Sequence, residues 1–114
     1  MAEGATTRVV LMTAPDREVA ERIVRTLVEE RLVACGNLVP GITSIYRWQG
    51  AIECDAEVLA ILKTSADRVS TLLARASELH PYEVPELLVL PVEGGYLPYL
   101  EWVRESTSSQ SNEG

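Results

Sequence analysis

ITSIYRWQGAIECDAEVLAILKT, residues 42–64, is the stretch whose reading decides the fold. Two runs with strand character flank Trp48-Gln49-Gly50-Ala51, a short Gly-containing connection of the kind that closes an antiparallel hairpin. In the second arm the two-residue repeat puts Ile52, Cys54, Ala56, Val58, Ala60 and Leu62 on one face. The other face carries Glu53, Asp55 and Glu57 near the turn, then Leu59 and Ile61. The tip is therefore expected to be wet on one side and the base buried on both. Helices covering one face of a small sheet should leave polar residues on the other, and the base of this hairpin does not. In a chain of 114 residues the expected cover is a second copy of the chain.

Upstream of the hairpin, RVVLMT (8–13) is a short apolar run without alternation, as in a central strand buried on both faces. Pro15-Asp16 breaks it, and Asp16 is positioned to cap a helix whose stripe is Val19, Ala20, Ile23, Val24, Leu27, Val28 and Leu32. Glu18 with Arg22 and Glu21 with Arg25 are spaced for i,i+4 pairs on its charged side. VACGNLV (33–39) begins a second strand, which Pro40-Gly41 bends, as suits an edge strand.

Downstream, Thr64 or Ser65 is the expected cap of a helix with Val69, Leu72, Leu73, Ala76 and Leu79 inside; Pro81 ends it at His80. ELLVLPV (86–92) reads as a strand covered on two sides. Pro98 fits the first turn of a short helix over 99–105, with Leu100, Trp102 and Val103 as its apolar residues. Residues 1–6 and 106–114 have nothing to bury and are expected to be disordered. The order strand, helix, strand, strand, helix, strand, with right-handed crossovers, gives an α+β ferredoxin-like split βαβ sandwich plus a small C-terminal helix, one domain over residues 7–105.

Ten basic and 17 acidic residues give a net charge of -7, which disfavours a nucleic-acid backbone or an anionic membrane as partner. No apolar run is long enough to cross a bilayer, and the N-terminus lacks a secretory pattern, so the expected location is the cytoplasm. Cys35 and Cys54 show no Cys-x-x-Cys spacing and read as reduced thiols. The glycines match neither a dinucleotide fingerprint nor a Walker loop, and no G-x-S-x-G elbow accompanies the single histidine, so a non-enzymatic protein is expected.

His80-Pro81-Tyr82-Glu83-Val84-Pro85-Glu86 is the densest cluster of special residues, an imidazole, a phenol and carboxylates held between two prolines. Either His80 caps the helix end and Tyr82 and Glu83 bond nearby backbone, or His80 joins a cysteine sulfur in a metal site. A proton-transfer role for His80 with Glu83 lacks any accompanying substrate motif. Tyr46, Trp48 and Trp102 suit intersubunit packing, as aromatics at strand and helix ends commonly do. Lys63, the only lysine, is expected to pair with a carboxylate such as Glu83, the alternative being an anion in a cleft between subunits.

Ala34-Cys35-Gly36-Asn37, residues 44–50 with Tyr46-Arg47-Trp48, Glu57, Lys63-Thr64, residues 80–86 and Tyr99-Leu100-Glu101-Trp102 together resemble the CutA divalent-cation tolerance family, in order over about residues 7–105. The resemblance implies a PII-like homotrimer whose hairpin reaches onto a neighbour, no required cofactor, and a role in tolerance of copper and other divalent metal ions without established catalysis. It implies Cys35 and His80 as metal contacts, while the family's other copper-associated positions fall on Met12 and Leu79. A PII-like sensor or scaffold, binding a small molecule or a partner protein in clefts edged by Tyr46, Arg47, Trp48, Lys63, Tyr82, Glu83 and Trp102, is the alternative.

Overall fold

Residues 42–64 form most of one long hairpin in the computed structural model of the chain, which describes residues 6–108. Its arms, β2 (Cys35–Trp48) and β3 (Ala51–Ser65), are joined by Gln49-Gly50 alone, with Trp48 opposite Ala51. Both loop residues have positive φ, 50° at Gln49 and 84° at Gly50, as in a two-residue primed turn whose twist matches the strands. The register slips between Val39 and Ile42, and Gly41 there has φ 79°. Pro40-Gly41 is thus a bulge that leaves the rest of β2 in pairing with β3.

β1 (Thr7–Ala14) and β4 (Leu87–Pro91) complete an antiparallel sheet of order β2-β3-β1-β4, so β2 and β4 are its edges. α1 (Arg17–Glu29) and α2 (Val69–Leu79) cover one face. Val10, Met12, Ala60 and Leu62 of that face pack with Ile23, Val24 and Leu27 of α1 and with Leu72 and Ala76 of α2. This is the expected ferredoxin-like sandwich, with a third helix, α3 (Leu97–Ser106), after β4.

The other face is only partly covered. Register puts Val9 and Leu11 beside Ile61 and Lys63 on one side and beside Leu88 and Leu90 on the other. Leu88 and Leu90 are 54% and 43% exposed, so the covering expected on both sides of β4 is not supplied by the described residues. Beyond the helices the hairpin projects: a compact chain of this length has a radius of gyration of about 13 Å, and here it is 14.9 Å. At the tip Ile45 and Ile52 are 70% and 67% exposed, so the apolar face of the tip is bare as well.

Several local expectations need correction. Asp16 caps α1 through Val19 N–H at 2.9 Å, but the helix stops at Glu29 and Arg31 turns left-handed with φ 61°. On α1 the ion pair formed is Arg17–Glu21 at 3.2 Å, rather than Glu18–Arg22 or Glu21–Arg25. Neither Thr64 nor Ser65 caps α2: β3 runs through Ser65, a 3-10 turn (Ala66–Arg68) follows, and α2 starts at Val69 without a side-chain cap. The two hydroxyls have other work: Thr64 donates to the Leu32 carbonyl at 2.7 Å, and Ser65 bonds Thr107 at 2.7 Å. Thr107 is buried, so order extends past residue 105. The disorder expected of residues 1–5 and 109–114 lies outside the described residues.

Candidate functional site: a cleft between the hairpin and the 80–86 loop

The conformational restriction that Pro81 places on its predecessor puts His80 in an extended conformation at the end of α2, with φ -83° and ψ 138°. Its ring is buried. Nε2 lies 2.8 Å from the Thr13 carbonyl, to which it donates, and Nδ1 accepts the Tyr82 N–H at 3.1 Å. Those partners fix the tautomer with the proton on Nε2 and use both ring nitrogens. The Tyr82 ring follows at 4.7 Å between centroids, and its hydroxyl donates to Glu57 Oε2 at 2.5 Å. The 80–86 loop is thereby tied to β1 through Thr13 and to β3 through Glu57.

Between this loop and the hairpin lies a cavity of about 760 Å³, walled by Ser44, Ile45, Tyr46 and Trp48 of β2, Glu57 of β3, Thr13 of β1 and the 81–86 segment. Glu57 is only 8% exposed, because Tyr82 covers the acidic face that the period-two pattern leaves wet. Beside it, Tyr46 donates to Asp55 at 2.5 Å; that bond, helped by burial and the neighbouring Asp55, Glu53 and Glu57 charges, pushes its phenol up to about 12. Burial, then the bond to Glu57, raises the Tyr82 phenol further still.

The remaining predicted site residues are elsewhere. Cys35 is half-buried at the start of β2, 3.5 Å from the Tyr99 hydroxyl, whose phenol is pushed up to about 12 by burial and by this contact. The rings of Tyr99 and Trp102 pack tilted by 37° with centroids 5.6 Å apart. Lys63 donates to Asn37 Oδ1 across the strand pair, not to Glu83, because Glu83 is on the loop beside the cleft while Lys63 is at the opposite end of β3. Arg47 pairs in register with Ile52, on the face of β2 opposite Tyr46 and Trp48, and does not line the cleft. Of the seven predicted cleft or interface residues, Tyr46, Trp48, Tyr82 and Glu83 converge on the cleft.

The donor set for a metal does not converge within one chain. Cys35 is in register with Lys63, and Lys63 with Val9, four residues from Thr13. At ~3.3 Å per residue and ~4.8 Å per strand, about 16 Å separates Cys35 from the carbonyl that anchors His80. Met12 is fully buried on the helix-covered face. Among the described residues no three His, Cys, Asp or Glu side chains are grouped to hold an ion. With both His80 nitrogens engaged, these residues do not fit a resident metal centre in a single subunit. Sequence reasoning missed Glu57 as a cleft residue. Local sequence carried no signal for it: Glu57 continues the polar alternation of the tip, and the Tyr82 hydroxyl, 25 residues on, is what covers it.

Residues 8–106 match the family described as CutA1 divalent ion tolerance protein. The divalent-cation tolerance protein CutA of Thermus thermophilus is 52% identical over 99 residues, 87% of this chain and 96% of that one. Protein CutA of Mus musculus is 52% identical over 103 residues, 90% of this chain but 58% of the mouse protein. Among solved structures, CutA1 of Oryza sativa superposes with a TM-score of 0.89 at 39% identity, covering 96% of this chain and all of that one, 100%. A CutA of Archaeoglobus fulgidus described as periplasmic gives a TM-score of 0.87 at 33% identity, covering 90% of this chain and 99% of that one. With nearly all of its described residues matched in both sequence and fold, this chain belongs to the CutA1 divalent ion tolerance family.

Proposed function

We propose that the chain acts as a non-enzymatic homotrimer in divalent-cation tolerance, and that it does so as a PII-like sensor or scaffold receiving a ligand in the cleft between hairpin and loop. The observation that carries this reading is the cleft itself, a cavity of about 760 Å³ whose walls are pinned by hydrogen bonds at Thr13 and Glu57. Rigid concave walls lined by aromatics and a few polar groups are the usual format of a small-molecule site. Self-association is supported by the bare apolar residues of β4 and of the hairpin tip, which one chain leaves in water. A non-catalytic role is supported by His80, whose two nitrogens are held by backbone groups and so are not free to move protons. The cytoplasm is the proposed compartment because Cys35 and Cys54 are free thiols. A family member described as periplasmic makes fractionation of cells the direct check of that point.

Light scattering at micromolar concentration should give about 37.5 kDa, three chains of 12.5 kDa. Leu88→Asp with Leu90→Asp should release folded monomers and abolish rescue of growth under copper or zinc challenge in cells lacking the protein. A wild-type monomer, or rescue by the monomeric variant, would overturn the reading.

A second reading is direct binding of copper by Cys35 of one subunit with groups from another. It is favoured by the half-buried position of Cys35 on the sheet face left partly open, beside Tyr99. Thiolate sulfur suits cuprous copper. Titration with cuprous and zinc ions on wild type and Cys35→Ser distinguishes the two, since only the second reading requires the sulfur.

A further inference from the structure

We propose that the cleft takes a small organic cation, an ammonium or guanidinium group on a short apolar skeleton. This rests on the cleft being a ligand site, as proposed above, and adds the ligand's chemical class.

Glu57 is the centre of the inference. It is more than nine-tenths buried, lines the cavity, and enters none of the ion pairs among the described residues. Tyr82 satisfies Oε2, while Oε1 has no hydrogen-bond partner among the described residues. Every fully buried side-chain nitrogen or oxygen there does have a partner, so Oε1 is open to the cavity that Glu57 lines. Burying a carboxylate without a cation is unfavourable, and the neutral Tyr82 hydroxyl compensates only in part. A cation arriving at Oε1 supplies what the fold leaves out.

The rest of the wall agrees on sign. Glu83 and Glu86 stand on the loop side, Asp55 is bonded to Tyr46 next to Glu57, and among the described residues no lysine, arginine or histidine lines the cavity. Arg47 is turned to the opposite face of β2 by the two-residue period. Tyr46, Trp48 and Tyr82 present aromatic rings, to whose faces ammonium and guanidinium groups are attracted. An anion meets like charge here. A single metal ion meets carboxylates that do not converge, since among the described residues no group of three acidic, His or Cys side chains is placed to hold one. A cavity of about 760 Å³ suits a cation with a carbon skeleton, its charge at Glu57 and its apolar part against the rings.

The test is calorimetric titration of the full-length protein in an amine-free buffer at low salt. The cationic probes are 1,4-diaminobutane, arginine methyl ester and choline; glutarate and glycerol are the anionic and neutral probes. At least one cation should bind more tightly than about 1 mM, and Glu57→Gln and Trp48→Leu should each weaken it by about tenfold. Glu57→Gln keeps an acceptor for Tyr82; should it fail to fold, the surface variant Trp48→Leu still carries the test. Cation binding that both variants leave unchanged would refute the placement. Glutarate or glycerol binding that depends on Glu57, without cation binding, would refute the cation class while leaving the cleft a ligand site. Silence from all five probes, with the trimer intact by light scattering, would refute the inference and the cleft's role together without touching the assembly.

Discussion

Gly36→Ala isolates how closely α1 sits on β2. A Cβ built on Gly36 would lie 2.6 Å from Val24 Cγ1 and 2.8 Å from Leu62 Cδ2, whereas carbon atoms rest at about 3.5–4.0 Å. Both neighbours are buried in the main core cluster, so each must retreat by about 1 Å into packed surroundings. Such overpacking costs about 1–3 kcal/mol. Loss of the glycine's freedom in the unfolded chain returns about 0.4–1 kcal/mol, leaving a net destabilisation of about 1–2 kcal/mol. For a domain of this size that lowers the melting temperature by about 4–8 °C. The assay is guanidinium unfolding of wild type, Gly36→Ala, Val24→Ala and the double variant, all at one protomer concentration because an assembled protein's midpoint depends on it. In the double variant the alanine methyl occupies space that Val24 vacates, so the two effects should fall short of their sum by about 1 kcal/mol. Additive effects, or a Gly36→Ala midpoint equal to wild type, would refute the close-approach account.

Three further outcomes are expected. His80→Ala strands the Thr13 carbonyl and the Tyr82 N–H and should cost about 2–3 kcal/mol in thermal unfolding, while copper and zinc isotherms stay unchanged; the reverse pattern would make His80 a ligand. Gln49→Asn, at a turn position with φ 50°, should stabilise by a few tenths of a kcal/mol, to about 1, in chemical unfolding, since asparagine tolerates that conformation better. Tyr46→Phe should flatten the alkaline limb of stability. The phenol bonded to Asp55 is pushed up from 10.0 to about 12 in the fold, so its contribution is complete below pH 10.0 and lost as pH rises through about 12. Unfolding midpoints of the two proteins across that window, with ultraviolet titration of the phenols, check it.

The sandwich was legible because its signals are local and redundant. Asp16 before an apolar stripe, the β-rich arms around Gln49-Gly50, and Pro81 after α2 each specify one boundary through backbone chemistry. The site was half legible. Tyr82 and Glu83 stood out in the 80–86 loop, and Trp48 beside the turn, since prolines and aromatics mark themselves. What failed depends on distant partners. Ser65 has a cap residue's chemistry, yet Thr107, 42 residues away, takes its hydroxyl. Lys63 has a charge to pair, yet it donates to a cross-strand amide at Asn37 and enters none of the ion pairs among the described residues. Glu57 follows the polar alternation of the tip, and only the fold of a loop 25 residues on makes it buried.

The cleft and the bare surface of the hairpin are two consequences of one pattern. Successive side chains on β2 point to opposite faces, so Tyr46 and Trp48 wall the cleft while Arg47, between them, sits in register with Ile52 on the far side; Ile45, in register with Cys54, borders the cavity and is still 70% exposed. A neighbour that covers Ile45 and Ile52 therefore clamps the same backbone that carries Tyr46 and Trp48. Without it the far half of the hairpin is a two-stranded ribbon, which is marginal in water on its own. Occupying the cleft and covering the tip thus draw on one element, and each lowers the ordering cost that the other must meet. Coupling of this kind is reciprocal: whatever affinity assembly adds to the cleft, a bound ligand must return to the assembly.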